Sequence, residues 1–179
     1  GACAGTVRLE KIASGSIVLN GEETRITSPI AAQQNKIGYV PEDRLTEGLC
    51  LAQPIADNIT LSSLKRLSNA LGLIKNKDII ADANIWKDKF AIKTDDVRKY
   101  ASTLSGGNQQ KIVLSKWLSN DLDVLILNGP TVGVDVGAKQ DIHALVHDLA
   151  NEGLAVIIIS DDLSEVVINC NRVIVMKEG

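Results

Sequence analysis

Apolar and polar positions divide the chain into three stretches with different periods. Over residues 14–60, short apolar runs alternate with turn formers. Strands are predicted at 16–19, 24–26 and 36–40, with a turn at Asn20-Gly21. Pro41-Glu42-Asp43-Arg44 ends the third strand and opens a polar loop. Residues 61–103 are more polar and read as helical. Ile79, Ala83, Trp86 and Phe90 recur at helical spacing, which makes them the apolar stripe of a small helical layer. Residues 104–179 alternate cleanly: a helix over 107–118, a strand at 123–127 and a helix over 138–150 with Ile142, Leu145, Val146 and Leu149 on one face. A strand at 154–159, a short helix near 163–170 and a last strand at 172–176 follow. Continuous apolar strands separated by amphipathic helices predict an α/β domain whose mostly parallel sheet is covered on both faces.

Composition narrows this picture. The 179 residues suffice for one ordinary domain with a sizeable core. Hydrophobic residues make up 45% and aromatic residues 3%, so the core is aliphatic and disorder is excluded. The 19 Lys and Arg against 22 Asp and Glu give a net charge of -3, which offers no broad basic face, and no nucleic-acid partner is expected. Cys3, Cys50 and Cys170 fit neither a disulfide framework nor a metal site, and are expected as small buried hydrophobes in a reducing cytoplasm. His143 and His147 stand four apart on the polar face of a helix; lacking further ligands, they are expected to be solvated, with no metal bound. No apolar run approaches the ~20 residues that span a bilayer, so any membrane association is expected to come through a partner.

The candidate chemistry gathers at Thr103-Leu104-Ser105-Gly106-Gly107-Asn108-Gln109-Gln110, which opens a helix. Ser105 is a natural N-cap, and two glycines would let the backbone approach a bulky anion without Cβ interference. Free N–H groups with a helix dipole behind them suit a phosphate. By residue chemistry alone, a capped helix after a turn remains an equal reading.

The segment resembles the signature motif of ABC transporters, in the Leu-Ser-Gly-Gly-Asn-Gln-Gln-Lys form of the second nucleotide-binding domain of ribose/galactose-type sugar importers. Tyr39-Val40-Pro41-Glu42-Asp43-Arg44 with Glu47-Gly48-Leu49 resembles that family's Q-loop region, Gly133-Val134-Asp135-Val136-Gly137-Ala138-Lys139 its D-loop, and Arg172-Val173-Ile174-Val175-Met176-Lys177-Glu178-Gly179 its closing strand. The resemblance implies a P-loop NTPase-like ABC ATPase domain with a small helical subdomain. Residues 1–60 would be the N-terminal remnant of the ATPase core with the Q-loop, 61–103 the helical subdomain, and 104–179 the signature motif and C-terminal core. It further implies two such domains paired head to tail around ATP and Mg²⁺. Ser105, Gly106, Gly107, Asn108 and Gln109 would then contact ATP held by the partner domain, with Glu42 in the Q-loop and Asp135 in the D-loop. The implied partners are that second domain, membrane permease subunits and, indirectly, a periplasmic sugar-binding protein. The implied place is the cytoplasmic face of the plasma membrane, reached through the permease.

Departures from the family's pattern set further expectations. No Gly-x-x-x-x-Gly-Lys-Ser/Thr occurs, and the chain is expected to begin just past the N-terminal strand and the Walker A loop. Where the family's Walker B strand ends in Asp-Glu-Pro-Thr, this chain has Asn128-Gly129-Pro130-Thr131, and Asp161 replaces the switch His. The resemblance gives these positions the Mg²⁺-orienting, water-polarising and switch roles, so no catalytic set is intact and the chain alone is expected to be inactive. A degenerate half-domain with a structural or regulatory pairing role is the alternative reading.

Overall fold

The computed structural model describes residues 14–177, and the expectations about the N-terminal boundary and Cys3 lie outside them. The chain opens with an antiparallel hairpin, β1 (Ile17–Leu19) and β2 (Glu22–Thr24), in which Ile17 faces Thr24. Asn20 and Gly21 both take positive φ, 51° and 85°, the conformation that a tight two-residue hairpin turn demands. Next comes α1 (Pro29–Gln34), which the hydrophobic pattern does not announce. Its signal is local: the Ser28 side chain accepts from the Ala31 amide at 3.1 Å, and Pro29 sits at the helix start.

The central sheet is three parallel strands in the order β3 (Ile37–Val40), β4 (Val124–Asn128), β5 (Ala155–Ile159), with Ile37 opposite Val124 and Val124 opposite Ala155. Alternation along β4 splits the core. Leu125 and Leu127 enter the larger cluster with Ile55, Ile59, Ile112, Leu114 and Ile142, while Ile126 joins Ile26, Ala32 and Ile37 on the other face. The hairpin and α1 thus cover one face of β3 and β4, and the helices cover the other.

Two expectations about the sheet fail at its far side. Among the described residues the second face of β5 is uncovered, with Ile157 47% exposed. The predicted strand at 172–176 is absent: residues 173–177 carry no ladder, and Val175 is 88% exposed. A strand exists only through its hydrogen-bonding neighbour, and this apolar run has none among the described residues.

The predicted polar loop after β3 is instead a π-helical turn, Arg44–Gly48, capped by Asp43, whose carboxylate accepts from the amides of Leu45 and Thr46 and from the Thr46 hydroxyl. Those bonds hold the Asp43 carboxyl below the usual carboxylate range. α2 (Ile55–Thr60) follows, then α3 (Leu64–Leu67) and α4 (Asn76–Lys89). α4 carries the predicted stripe: Ala83 and Phe90 are buried, and Ile79 and Trp86 pack against the larger core. α2 packs on α4 and on the long helix α5 (Gly106–Leu118), so helical packing begins ahead of residue 61. α6 (Val136–Asn151) and α7 (Leu163–Asn169) complete the chain, with Ile142, Val146 and Leu149 of α6 buried as predicted. Cys50 is exposed and Cys170 half-buried, which corrects the expectation of buried thiols.

Candidate functional site

A turn of 3₁₀ helix, Ala101–Thr103, delivers the chain to Ser105, which stands at the N-cap of α5 in extended backbone. Its side chain makes no cap bond. Instead, Ser105 Oγ accepts from Asn108 Nδ2 at 2.9 Å, and Asn108 Oδ1 accepts from the Lys93 amide at 2.8 Å. Asn108 is therefore held at both ends, and the Ser105 hydroxyl keeps its own proton for an outside acceptor. The first amides of α5 have no intrahelical acceptor and stand at the positive end of the helix. Such a helix end suits an anionic group in general. Gln109 does not face it: the side chain is buried, and Nε2 donates to the Ala101 carbonyl at 3.3 Å.

The two glycines pack closely against other parts of this chain. A Cβ on Gly106 would lie 2.7 Å from Arg44 Nη2 and 3.0 Å from the Gly133 carbonyl oxygen, and one on Gly107 would lie 2.4 Å from the Ala138 methyl. On the Cβ side of each glycine the room is filled by this chain. Arg44 reaches this place from the π-helical turn and donates through Nη1 to the Val132 carbonyl at 2.7 Å and through Nη2 to the Gly133 carbonyl at 2.9 Å. At the other end of that turn, Lys116 of α5 donates to the Gly48 carbonyl, and burial pushes its ammonium pKa down.

In a parallel sheet the strand ends converge on one edge, where ligands of α/β folds gather. Here Glu42 follows β3, Asn128 ends β4 with Gly129 just after it, and Ser160 and Asp161 follow β5. Asn128 makes one long bond, from Nδ2 to the Tyr39 hydroxyl at 3.4 Å. Gly129 sits at φ 56°, and a Cβ there would meet Val132 Cγ2 at 2.9 Å and Glu42 Cγ at 3.0 Å. The Glu42 methylenes thus take the place that a side chain at 129 would need. The Asp135 carboxylate accepts from the Ala138 amide at 2.9 Å and caps α6, while Asp161 is exposed. The residues at 128 and 129 offer no carboxylate for Mg²⁺, and among the described residues no group of three or more His, Cys, Asp or Glu could hold a metal ion.

Below this edge lies a buried cluster that sequence reading missed. Glu165 of α7 is buried, and its Oε1 accepts from the Thr131 hydroxyl at 2.8 Å and lies 3.0 Å from His143 Nε2. Burial works to raise the pKa of the Glu165 carboxyl, but hydrogen bonds from Ser160, His143 and Thr131 outweigh it and hold the group below its usual range. His143 is thus a cluster member, which corrects its reading as a solvated residue; His147 is exposed. The spacing of four along α6 carried no hint of this, because the partner of His143 lies 22 residues away.

A sequence profile of the ABC transporter family matches residues 5–132. The chain is 43% identical over 171 residues to a putative ribose/galactose/methyl galactoside import ATP-binding protein of Rhizobium etli, covering 96% of this chain and 32% of that protein. It is 43% identical over 166 residues to an L-arabinose transport ATP-binding protein of Geobacillus stearothermophilus, covering 93% and 32%. A ribose import ATP-binding protein of Lactococcus lactis is 42% identical over 171 residues, covering 96% and 35%. The chain spans about a third of the length of these curated relatives. Among solved structures, a nucleotide-free ATP-binding cassette from an ABC transporter superposes with a TM-score of 0.76 at 15% identity, covering 94% of this chain and 68% of that one. A dimeric ATP-binding cassette in a post-hydrolysis state with ADP and Pi gives 0.69 at 19% identity, covering 88% and 67%. At such identities the likeness is one of fold, the P-loop NTPase fold of ABC ATPases. The profile covers well over half of the chain and runs through the turn at Arg44, the start of α5 and the end of β4, and the chain therefore belongs to the ABC transporter family.

Proposed function

We propose that this chain is part of the ATP-binding, energy-coupling component of a bacterial sugar importer, and that it lends the start of α5 to ATP held mainly by a second nucleotide-binding domain. Residues 1–60 and 104–179 would form the ATPase core and 61–103 the helical subdomain of the second, C-terminal domain of such a protein. Ser105 carries the reading, because its hydroxyl is oriented by Asn108, left out of helix capping and set beside unbonded amides. A phosphate held there would receive a hydroxyl proton and backbone N–H groups, with Asn108 fixing the donor. ATP with Mg²⁺ would supply the energy of domain closure, its metal held by groups outside Asn128 and Gly129.

Relatives named for the import of ribose, arabinose or galactosides favour a sugar importer over a purely structural pairing role. Among the described residues no helix is long and apolar enough to cross a membrane. Attachment at the cytoplasmic face would then run through permease subunits, with a periplasmic sugar-binding protein engaged only through them. The segment from Glu42 to about Asn58 is the proposed contact: Leu45, Glu47 and Asp57 are exposed there, and the buried Asn58 staples Cys50 through both its backbone groups.

ATP hydrolysis by the assembled importer tests this reading. Ser105→Ala removes no cap bond, so the fold survives, and the rate falls by about 10²-fold, as for loss of one preorganised donor. Asn128→Asp, on the side read as degenerate, changes the rate less than about twofold. An unchanged rate in Ser105→Ala would overturn the proposal.

A further inference from the structure

We propose that Arg44 is a positioning residue that locks the start of α5 and the loop after β4 into one register, so that Ser105 and residues 132–134 are presented as a unit. The proposal rests on the reading of α5 as a nucleotide-facing end, and it concerns what holds that end in place. Arg44 belongs to neither element. It stands on the π-helical turn that Asp43 caps, and its guanidinium crosses to two successive carbonyls, Val132 and Gly133, at 2.7 and 2.9 Å. A planar fork matches two parallel acceptors in a way that a lysine ammonium does not.

The same guanidinium forms a wall for α5. A Cβ at Gly106 would stand 2.7 Å from Nη2, and one at Gly133 would stand 3.2 Å from Nη1. Gly133 takes φ 67°, the left-handed turn in which both carbonyls meet the fork. Among the described residues the buried Arg44 Nε meets no acceptor, and the two carbonyl bonds carry the hydrogen bonding of the group. The turn is tied at its other end as well, since Lys116 of α5 donates to the Gly48 carbonyl. Helix, turn and loop therefore share one charged tie-point, and moving the loop after β4 moves the wall against which Gly106 packs.

Amide hydrogen exchange of the full chain reads this tie without any nucleotide. Arg44→Met and Arg44→Lys both remove the fork, and each speeds exchange by about tenfold or more at residues 132–134, where the Val132 and Val134 amides are bonded to the Gly129 and Thr131 carbonyls, and at Gln109, whose amide is bonded to the Ser105 carbonyl. Exchange in α4 stays within about twofold, and lysine gives no rescue. Gly106→Ala expels the guanidinium from the other side and speeds residues 132–134 likewise, yet adds nothing there when combined with Arg44→Met. Unchanged exchange at 132–134, full rescue by lysine, or an equal rise throughout α4 would each overturn the proposal. In the assembled importer, Arg44→Lys lowers kcat by about tenfold or more while the KM for ATP stays within about twofold. A parent protein with no ATPase activity would sink the functional reading, while the exchange result would still decide the role of Arg44.

Discussion

Gly107 and Ala138 touch so closely that a Cβ on the glycine would stand 2.4 Å from the alanine methyl. That contact seats the start of α5 on the first turn of α6, and the Lys111–Asp141 ion pair at 2.9 Å continues the seam one turn on. Gly107→Ala forces the helices apart and lowers stability by about 1–3 kcal/mol, as overpacking does in a tight interior. Urea denaturation checks this, and the compensating Ala138→Gly restores part of the loss despite its own helix cost of about 1 kcal/mol.

Gly129 makes a second, independent prediction. Its φ of 56° and the crowding by Glu42 and Val132 mean that Gly129→Ala loses about 1–2 kcal/mol in thermal or urea unfolding. Gly137→Ala is the control, since that glycine lies in the first turn of α6 with only the Asp135 carboxylate within 4 Å, at 3.4 Å. Its effect is within about 1 kcal/mol and can be stabilising. Returning a glutamate to position 129 therefore requires the loop to rearrange as well as the chemistry to change.

The Glu165 cluster predicts a pH dependence. The folded carboxyl titrates below its unfolded value, so the carboxylate stabilises the fold at neutral pH and that contribution is lost as pH falls through the folded pKa. Glu165→Gln lowers the urea midpoint at pH near 7, because the bonds from Thr131 and His143 lose a charged acceptor. Below the ordinary glutamate pKa of about 4.3 the gap between variant and parent narrows. A gap that stays constant down to about pH 3 would refute the assignment.

Much of this fold is legible in local pattern. The apolar runs of β4 and β5, the faces of α4 and α6, and the Asn20-Gly21 turn each depend on residues within one element. Elements defined by short capping signals were missed: α1 hangs on Ser28-Pro29, and the π-helical turn on Asp43 and Thr46. The predicted strand at 172–176 failed for the opposite reason, since its sequence is right for a strand but a ladder needs a neighbour. The site divides in the same way. Ser105 and the helix start could be read from adjacent residues, whereas the neighbours that make Gly106 and Gly107 obligatory, Arg44, Gly133 and Ala138, come from distant parts of the chain. His143 and Glu165 likewise meet only through the packing of α6 beside α7.

The proposed role of α5 is tested most directly by measuring MgATP affinity calorimetrically for a nucleotide-binding domain that carries a complete Walker A loop, with and without this chain. Adding the chain tightens ATP binding by about tenfold or more, the worth of hydrogen bonds to a charged phosphate, and Ser105→Ala removes that gain. No gain on adding the chain, or a gain that Ser105→Ala leaves intact, would contradict the role assigned to the start of α5.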